Sequence, residues 1–212
     1  MNRPANQHGF ALPTLMLMLS LASIAALLAM RNVWVNEQLL NAEADQQRTQ
    51  QKAEAVLPLA LADILGASTP NAGGATPQLR HTAGNVTQTH AFFPSSQTEY
   101  DLLRKRLGVN TCSAGICAPN ALASHAAQAS YWRAQIATAM QVSAVDRPDG
   151  DNTAGYWVEV FPQTNNSAFV YRITALANGV RPGSTTVLQA LWVRNTATSS
   201  SGQWRSWHLL HD

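Results

Sequence analysis

The side chains best suited to covalent chemistry are two cysteines, Cys112 and Cys117, which lie five positions apart in the segment TCSAGICAP. In an oxidising compartment, an even number of closely spaced cysteines indicates a disulfide. A zinc site would need two further ligands, for which His125 is the nearest candidate, and free thiols are the third possibility. We expect a disulfide that closes a short loop and fixes a local turn.

A second group of possible ligands is the acidic segment DRPDGDN, which contains Asp146, Asp149 and Asp151. Closely spaced oxygen ligands around a glycine can bind calcium, but the spacing is not that of an EF-hand and the closing glutamate is missing. An Asp-Gly turn is the favoured interpretation. We therefore treat the three aspartates as weak candidates and predict no metal site.

Other catalytic patterns are missing from the sequence. It contains no phosphate-binding glycine loop, G-x-S-x-G or H-E-x-x-H motif. His208 and His211 are three positions apart, so on a strand they would point to opposite faces. Charged residues make up 12% of the chain and its net charge is +2, without a basic patch. We predict that the chain is not an enzyme, needs no cofactor and has no nucleic-acid partner.

The N-terminal part contains an apolar segment, from Phe10 to Met30, without a single charge. As a helix it would reach about 31 Å, the thickness of the hydrocarbon core of a membrane. This is too long for an ordinary signal-peptide core, although cleavage after Ala29 stays an alternative, as does an anchor that is never cut. Arg3 precedes the segment and acidic residues follow it, which mildly favours a cytoplasmic N-terminus.

The helical pattern continues beyond the apolar segment. Residues 31–57 contain no glycine or proline, and a narrow stripe predicts one packed face. Together with the apolar segment, they predict a helix of about 70 Å to Leu57. We expect Pro58 to kink or end it, with a final turn or two before Gly66. The stripe consists of Val35, Leu39, Ala42, Gln46, Thr49, Ala53 and Val56.

The rest of the chain predicts an antiparallel sheet. Residues 66–98 favour an irregular segment, Glu99–Leu107 a short amphipathic helix, and Tyr131–Val145 either a helix or a strand. After Gly155 the apolar period becomes two, and polar turns separate four predicted strands, so we expect a meander with the distal half of the long helix covering one face. The strands are Tyr156–Phe161, Phe169–Leu176, Thr185–Arg194 and Gln203–Leu210.

The junction of the polar leader and the apolar helix resembles a prepilin (class III) signal, because Gly9 is followed directly by Phe10. The resemblance implies that a prepilin peptidase cuts between Gly9 and Phe10 and that Phe10 is N-methylated, while the helix stays as membrane anchor and filament core. Major pilins usually carry Glu four residues after the first mature residue, where this chain has Thr14. Thr14 cannot neutralise a neighbour's amine, which implies a sparse or tip position. Pro13 costs little in the first turn of a cut helix.

Two further segments narrow the resemblance to PilX-type minor pilins. The segment FVYRITALANGVRPGSTTVLQALWVRN is similar to their strand, glycine-rich turn and following strand, and a short cysteine pair also occurs upstream in that group. Altogether the resemblance covers residues 9–57, 112–119 and 156–195. It does not extend to residues 66–110. After the membrane segment the matching positions are Met30, Arg31, Glu37, Asn41, Asp45, Gln46, Arg48, Ala53, Glu54 and Ala55.

The resemblance implies a structural subunit that supports assembly of a type IV pilus, with a pilin-like α+β fold in which the long helix packs on a C-terminal antiparallel sheet. Its implied partners are other minor pilins, the major pilin, the prepilin peptidase and the inner membrane. The C-terminal part would lie in the periplasm and enter the pilus after processing. The alternatives are a minor pseudopilin of type II secretion and a periplasmic binding module tethered by a single span.

These expectations divide the chain into five parts. They are a prepilin leader (1–9), the membrane and filament-core half of the long helix (10–30), its soluble half (31–65), an irregular segment with short helices and the cysteine loop (66–155), and the sheet headpiece (156–212).

Overall fold

The computed structural model forms two compact units, residues 1–44 and 45–212, which are described separately here. Described are residues 11–65, 80–82, 89–91, 93–94, 96–108, 112–119, 128–142, 154–162, 169–181, 183–196, 199 and 201–211. In order, the chain forms α1 (Ala11–Leu65), β1 (Arg80–Thr82), β2 (Thr89–Ala91), α2 (Gln97–Leu107), β3 (Cys112–Ser113), β4 (Ile116–Cys117), α3 (Ala129–Ala134), a 3-10 helix (Ile136–Thr138), β5 (Met140–Val142), β6 (Ala154–Pro162), β7 (Phe169–Asn178), β8 (Thr185–Arg194) and β9 (Gly202–Leu209).

The predicted long helix is present, as α1. Residues 31–57 favour a helix because they are rich in Ala, Leu, Gln and Glu, and α1 continues through Pro58 to Leu65. A proline inside a helix removes one backbone hydrogen bond. Here Leu57 and Ala60, on either side of Pro58, are buried in the core. Tertiary packing therefore holds the last two turns of α1 together.

The C-terminal sheet confirms the predicted meander. Strands β6, β7, β8 and β9 pair antiparallel in chain order, with Val158 opposite Ile173 and Ile173 opposite Ala190. Strand β4 adds to β6 in parallel, β3 pairs with β4, and β5 pairs with the beginning of β6. Together with α1, the sheet gives the predicted α+β fold.

The distal half of α1 covers one face of this sheet, as predicted from the stripe. Alternate residues of the strands lie on one face, so one set from β6, β7 and β8 points to the helix. Burial of these apolar surfaces contributes about 25 cal/mol per Å² and is the main stabilising contribution. The core on this side contains Ala53, Val56, Leu57, Ala60 and Ile64 from α1, with Tyr156, Val158, Val160, Tyr171, Ile173, Ala175, Leu188, Ala190 and Trp192 from the sheet.

A second core lies on the other face, which the sequence pattern did not predict. Trp132 of α3 packs against Trp157 of β6, with ring centroids 4.9 Å apart. The Trp157 indole N–H donates to the Thr138 hydroxyl over 2.9 Å, which satisfies its polar group inside the core. The segment 131–145 was predicted as either helix or strand. Its described residues, 131–142, hold most of α3, the 3-10 helix and β5 in succession and supply part of this cover.

Two other expectations are refined. The helix predicted at Glu99–Leu107 begins two residues earlier, because Ser96 accepts a hydrogen bond from the Glu99 N–H and caps it. Residues 66–98 were predicted to be irregular, and this is wrong for β1 and β2, which form a two-stranded antiparallel pair. Each of these strands has only three residues, most of them polar, so no alternation of apolar and polar residues indicated a strand.

The disulfide joins Cys112 and Cys117, which face each other in the β3–β4 hairpin. The turn of this hairpin has positive φ at Ala114 (47°) and Gly115 (76°). The Gly115 N–H donates to the Thr138 carbonyl, and its carbonyl accepts from the Val158 N–H, both over 2.7 Å. The hairpin is thereby held against β6 and the 3-10 helix.

Gly115→Ala is expected to lower the free energy of unfolding by about 3 kcal/mol, because backbone strain and a steric clash add together. A Cβ at this position would lie 2.7 Å from the Met140 Cβ and 2.8 Å from the Tyr156 carbonyl oxygen. The matched control is Gly183→Ala, which also has positive φ but no atom within 4 Å of the added Cβ. Gly183→Ala should lower the free energy of unfolding by about 1 kcal/mol. Equal losses in a thermal melt of the two variants would contradict this account.

Candidate functional site

The most unusual surface of the chain is the first part of α1. Residues 12–43 are all exposed although many are large and apolar. Water-soluble proteins rarely leave so large an apolar area uncovered, and such areas mark sites of contact with membranes or other proteins. The exposed large side chains before Arg31 are Leu12, Leu15, Met16, Leu17, Met18, Leu19, Leu21, Ile24, Leu27, Leu28 and Met30.

Within the described residues, α1 is the one helix that is long and apolar enough to cross a membrane. Its hydroxyl groups suit an apolar environment, because they bond within the helix. The Ser20 hydroxyl donates to the Met16 carbonyl and the Ser23 hydroxyl to the Leu19 carbonyl, each over 2.8 Å. Such bonds to the preceding turn lower the cost of placing a hydroxyl in lipid.

The apolar surface of α1 does not end at Arg31. Further large side chains are exposed between polar residues such as Asn36 and Glu37. A helix spans about 30 Å of lipid with some 20 residues, so these side chains lie beyond the stretch that lipid alone would cover. They are Val33, Trp34, Val35, Leu39 and Leu40, of which Leu40 is 65% exposed.

The character of α1 changes at Asp45, which is the first buried residue of the second unit. Its carboxylate accepts the backbone N–H groups of Val180 (3.0 Å) and Arg181 (3.3 Å) in the turn between β7 and β8. Burial alone would raise the pKa of Asp45, but the hydrogen bonds from Val180, Ser184 and Arg181 outweigh it and lower the pKa. The ionised carboxylate is therefore the form that holds the turn.

The backbone of this turn lies close to the Asp45 side chain of α1. At Gly179 a Cβ would lie 2.7 Å from the Asp45 Oδ2 and 2.5 Å from the Ser184 hydroxyl. The Gly179 N–H also donates to the Ser184 carbonyl over 2.7 Å, which closes the turn. A glycine is needed here because any side chain would push the turn away from the carboxylate.

The hydrogen bonds to Asp45 make the stability of the protein depend on pH. Its pKa is below the ordinary 3.8 in the folded state, so its contribution is complete above that value and is lost as the pH falls through the lowered pKa. Asp45→Asn should unfold more easily at pH 7, and its difference from wild type should shrink as the pH falls below about 4. The control Asp101→Asn changes an exposed carboxylate of α2. Thermal melts between pH 7 and 3 that show a constant difference for Asp45→Asn would contradict this assignment.

The last turn of α1 is held by Arg194 at the end of β8. The Arg194 Nη2 donates to the Ile64 carbonyl over 2.7 Å, and its guanidinium lies over the rings of Tyr171 (5.6 Å) and Trp192 (5.9 Å). A cation at a helix C-terminus satisfies a carbonyl that lacks a partner in the helix and interacts favourably with the helix dipole. Burial raises the pKa of Tyr171 to about 12, while Arg194 lowers it, so the phenol is neutral. In the second unit, hydrogen bonds thus attach α1 to the sheet near both ends of β8, through Asp45 at one end and Arg194 at the other.

Two polar side-chain pairs link elements of the headpiece, the first half-buried and the second buried. The Tyr156 hydroxyl donates to the Asp63 carboxylate, which links β6 to α1. On the opposite face of the sheet, the Arg172 Nη2 donates to the Glu159 Oε1 over 2.7 Å, and the Arg172 guanidinium lies 5.2 Å from the Phe161 ring centroid. Removal of one partner of such a buried pair leaves an uncompensated charge. These pairs therefore fix the positions of their elements and perform no visible chemistry.

The structure brings together only some of the residues singled out from the sequence. The disulfide of Cys112 and Cys117 is present, and Thr14 lies exposed on α1. Among the residues with described positions, no three His, Cys, Asp or Glu side chains are arranged to hold a metal. Outside the described residues lie Gly9, Phe10, His125, Asp146, Asp149 and Asp151.

Sequence reasoning missed two of the residues that hold α1 on the sheet. The sequence identifies Asp45 only as an acidic residue after the apolar segment and as one position of a family pattern, and Arg194 only as the end of a strand. A buried charge cannot be distinguished from a surface charge by periodicity alone. The available signal for Asp45 was its place four residues before Thr49, which belongs to the packed stripe and is also buried.

No family model, no curated protein and no solved structure matches this chain.

Proposed function

We propose that this chain is a minor pilin-type structural subunit that supports assembly of a type IV pilus, in a priming or tip position. The subunit is anchored in the inner membrane by α1 and carries its headpiece in the periplasm until it enters the filament. It acts by packing with other minor pilins and the major pilin and has no catalytic role.

The observation that carries the proposal is the division of α1 at Asp45. Residues 12–43 are exposed and largely apolar, whereas the residues from Asp45 on supply the core of the headpiece. A simple membrane anchor would need only the apolar span and a linker. A helix whose second half is the core of its own headpiece suits a subunit that is built into a larger helical assembly.

The apolar side chains beyond Arg31 support protein contacts. In an isolated, membrane-anchored chain, four of these side chains would be exposed to water: Val33, Trp34, Leu39 and Leu40. Leaving apolar surface in water costs about 25 cal/mol of free energy for each Å². Packing against helices of neighbouring subunits covers these side chains. The interspersed Asn and Gln side chains can form hydrogen bonds across such a helix interface.

The disulfide supports the orientation. Disulfides form and persist in oxidising compartments such as the periplasm, and Cys112 and Cys117 are bonded in the headpiece. With the headpiece outside the cytoplasm, the N-terminus of the span lies inside, as the charges around the span also favour.

Thr14 supports a special position in the filament. It occupies the place where, by the resemblance, a major pilin has a glutamate that neutralises the amine of a neighbour. A carboxylate in an apolar environment is costly unless it is paired. A subunit without it is suited to a position where no neighbouring amine needs pairing, which is the tip.

Deletion of the gene tests the proposal, and electron microscopy of pili is the readout. The deletion strain should carry few or no pili, and expression of the full chain should restore them. Normal pili with defective protein secretion would point instead to a type II pseudopilin. Normal pili with normal secretion would contradict a role in either filament and favour a tethered periplasmic module.

A charge on the exposed helix surface makes the test specific. The double variant Leu39→Glu/Leu40→Glu should be made and anchored normally but should fail to restore pili, because two carboxylates would be buried in a helix interface. Gln47→Glu is the matched control, since Gln47 is exposed on the same helix within the headpiece unit. Pili restored equally by both variants would show that residues 39 and 40 make no assembly contact.

A further inference from the structure

Strand β9 is the outer strand of the sheet and is unusually exposed. It pairs with β8, and no other described strand pairs with its second edge. The six successive residues Gln203–His208 are all exposed, so neither face of this strand is covered by the described part of the chain. An edge strand with free backbone groups and apolar side chains is a template for pairing with another strand.

A bulge places two tryptophans of β9 on the same face. Trp192 of β8 is opposite Trp204, whereas the preceding Leu191 is opposite Ser206, so Arg205 is an extra residue with no opposite residue in β8. Trp204 and Trp207 therefore both lie on the side of the sheet that faces α1. They are 46% and 51% exposed, although cross-strand neighbours such as Trp192 are buried.

We propose that β9 pairs antiparallel with β9 of a second copy of this chain, about a two-fold axis at Ser206. In this register, Ser206 faces Ser206 of the second copy. Trp204 faces Trp207 of the second copy, and this pair occurs twice by symmetry. Gln203 faces His208 of the second copy.

The register follows from the faces and charges of the strand. Opposite residues in an antiparallel pair must share a face, and the bulge gives Trp204 and Trp207 the same face, as it gives Gln203, Ser206 and His208 the other. The one charged residue, Arg205, remains in the bulge and does not face its own copy. A register centred on Arg205 would instead place two like charges opposite each other, which is unfavourable.

Self-complementarity is what selects a second copy as the partner. Each tryptophan lies opposite an aromatic residue of the second copy, and such cross-strand pairs stabilise the contact in addition to the backbone hydrogen bonds. The two-fold arrangement uses the free edge of each copy, so the contact closes as a dimer and does not grow into a fibre. This inference concerns the headpiece alone and does not depend on the proposed role in a pilus.

Disulfide cross-linking of the full chain in mild detergent tests the pairing. The variant Ser206→Cys should form a covalent dimer on oxidation, because Cβ atoms of opposite residues lie about 4.5–5.5 Å apart, close to the range of a disulfide. The control Thr98→Cys places an exposed cysteine on α2, outside the proposed contact. Its dimer yield should be at the background of random collision.

The register is tested with two variants in one tube. Gln203→Cys chains should cross-link to His208→Cys chains, and neither should cross-link to itself. In the Ser206→Cys background, Trp204→Ser/Trp207→Ser should lower the dimer yield roughly tenfold. A Ser206→Cys yield no greater than that of Thr98→Cys would overturn the proposal, as would a yield unchanged by loss of both tryptophans.

Discussion

Replacing Gly9 with leucine should leave the chain uncut, at its full mass of 22.9 kDa, and should abolish its incorporation into pili. By the resemblance to a prepilin signal, a prepilin peptidase would cut between Gly9 and Phe10, and a bulky side chain at the residue before the cut would not fit a peptidase site that accepts glycine. Even alanine at this position should block processing. Immunoblots of membrane and sheared-pilus fractions would show the uncut chain accumulating in the membrane.

The control for this experiment changes the leader away from the junction. Ala5→Leu adds the same side chain four residues earlier and should be processed normally. Normal pili containing a shortened chain in the Gly9→Leu strain would contradict cleavage at this junction. If Ala5→Leu failed equally, the effect would belong to the leader as a whole.

Arg194→Ala is expected to destabilise the headpiece as strongly as Gly115→Ala. The Arg194 guanidinium satisfies the Ile64 carbonyl at the end of α1 and lies over Tyr171 and Trp192. A hydrogen bond from a charged group contributes about 1.5–3 kcal/mol, and a partly desolvated cation–π contact contributes about 1 kcal/mol. We expect the free energy of unfolding to fall by about 3 kcal/mol and the melting temperature of the full chain in detergent to fall by about 6–12 °C.

Tyr171→Phe is the matched control in the same cluster. It keeps the ring beneath Arg194 and removes a buried hydroxyl that makes no hydrogen bond in the described structure. Loss of such a hydroxyl should be neutral or slightly stabilising. If Arg194→Ala melted within about 1 °C of wild type, corresponding to a few tenths of a kcal/mol, Arg194 would not be holding the end of α1.

Local patterns were sufficient to predict the long helix, α2 and the four strands β6 to β9. The strand β8 was predicted with the bounds Thr185–Arg194 that the structure has, because β-branched and aromatic residues alternate between polar turns. The lack of Gly and Pro from residue 31 to 57 predicted the long helix. The buried positions Thr49, Ala53 and Val56 confirm the distal part of its stripe, whereas Val35 and Leu39 are exposed.

The attachments between elements could not be predicted in this way. The bond from Val180 to Asp45 joins residues 135 positions apart, and that from Arg194 to Ile64 joins residues 130 positions apart. Propensity and periodicity describe only neighbours along the chain. The second core was missed for the same reason, since Trp157 meets Trp132 and Thr138 through a segment whose type was ambiguous.

The candidate site, too, was predictable from the sequence only in part. The apolar character of residues 10–30 was evident from composition, but composition could not tell whether the helix is buried in its own chain. The structure leaves residues 12–43 exposed, and this exposure separates an assembly or membrane surface from a core helix. Likewise, alternation alone could not reveal that the bulge at Arg205 brings Trp204 and Trp207 to one face.

Mass spectrometry of the N-terminus of the purified chain is the most direct test of the proposed function. The account predicts that the mature chain begins at Phe10, that the N-terminal nitrogen carries one methyl group, and that Cys112 and Cys117 are disulfide-bonded. A chain that still begins at Met1 would be an uncut anchor, and one that begins at Met30 would be the product of an ordinary signal peptidase. Either result would contradict a role as a processed filament subunit.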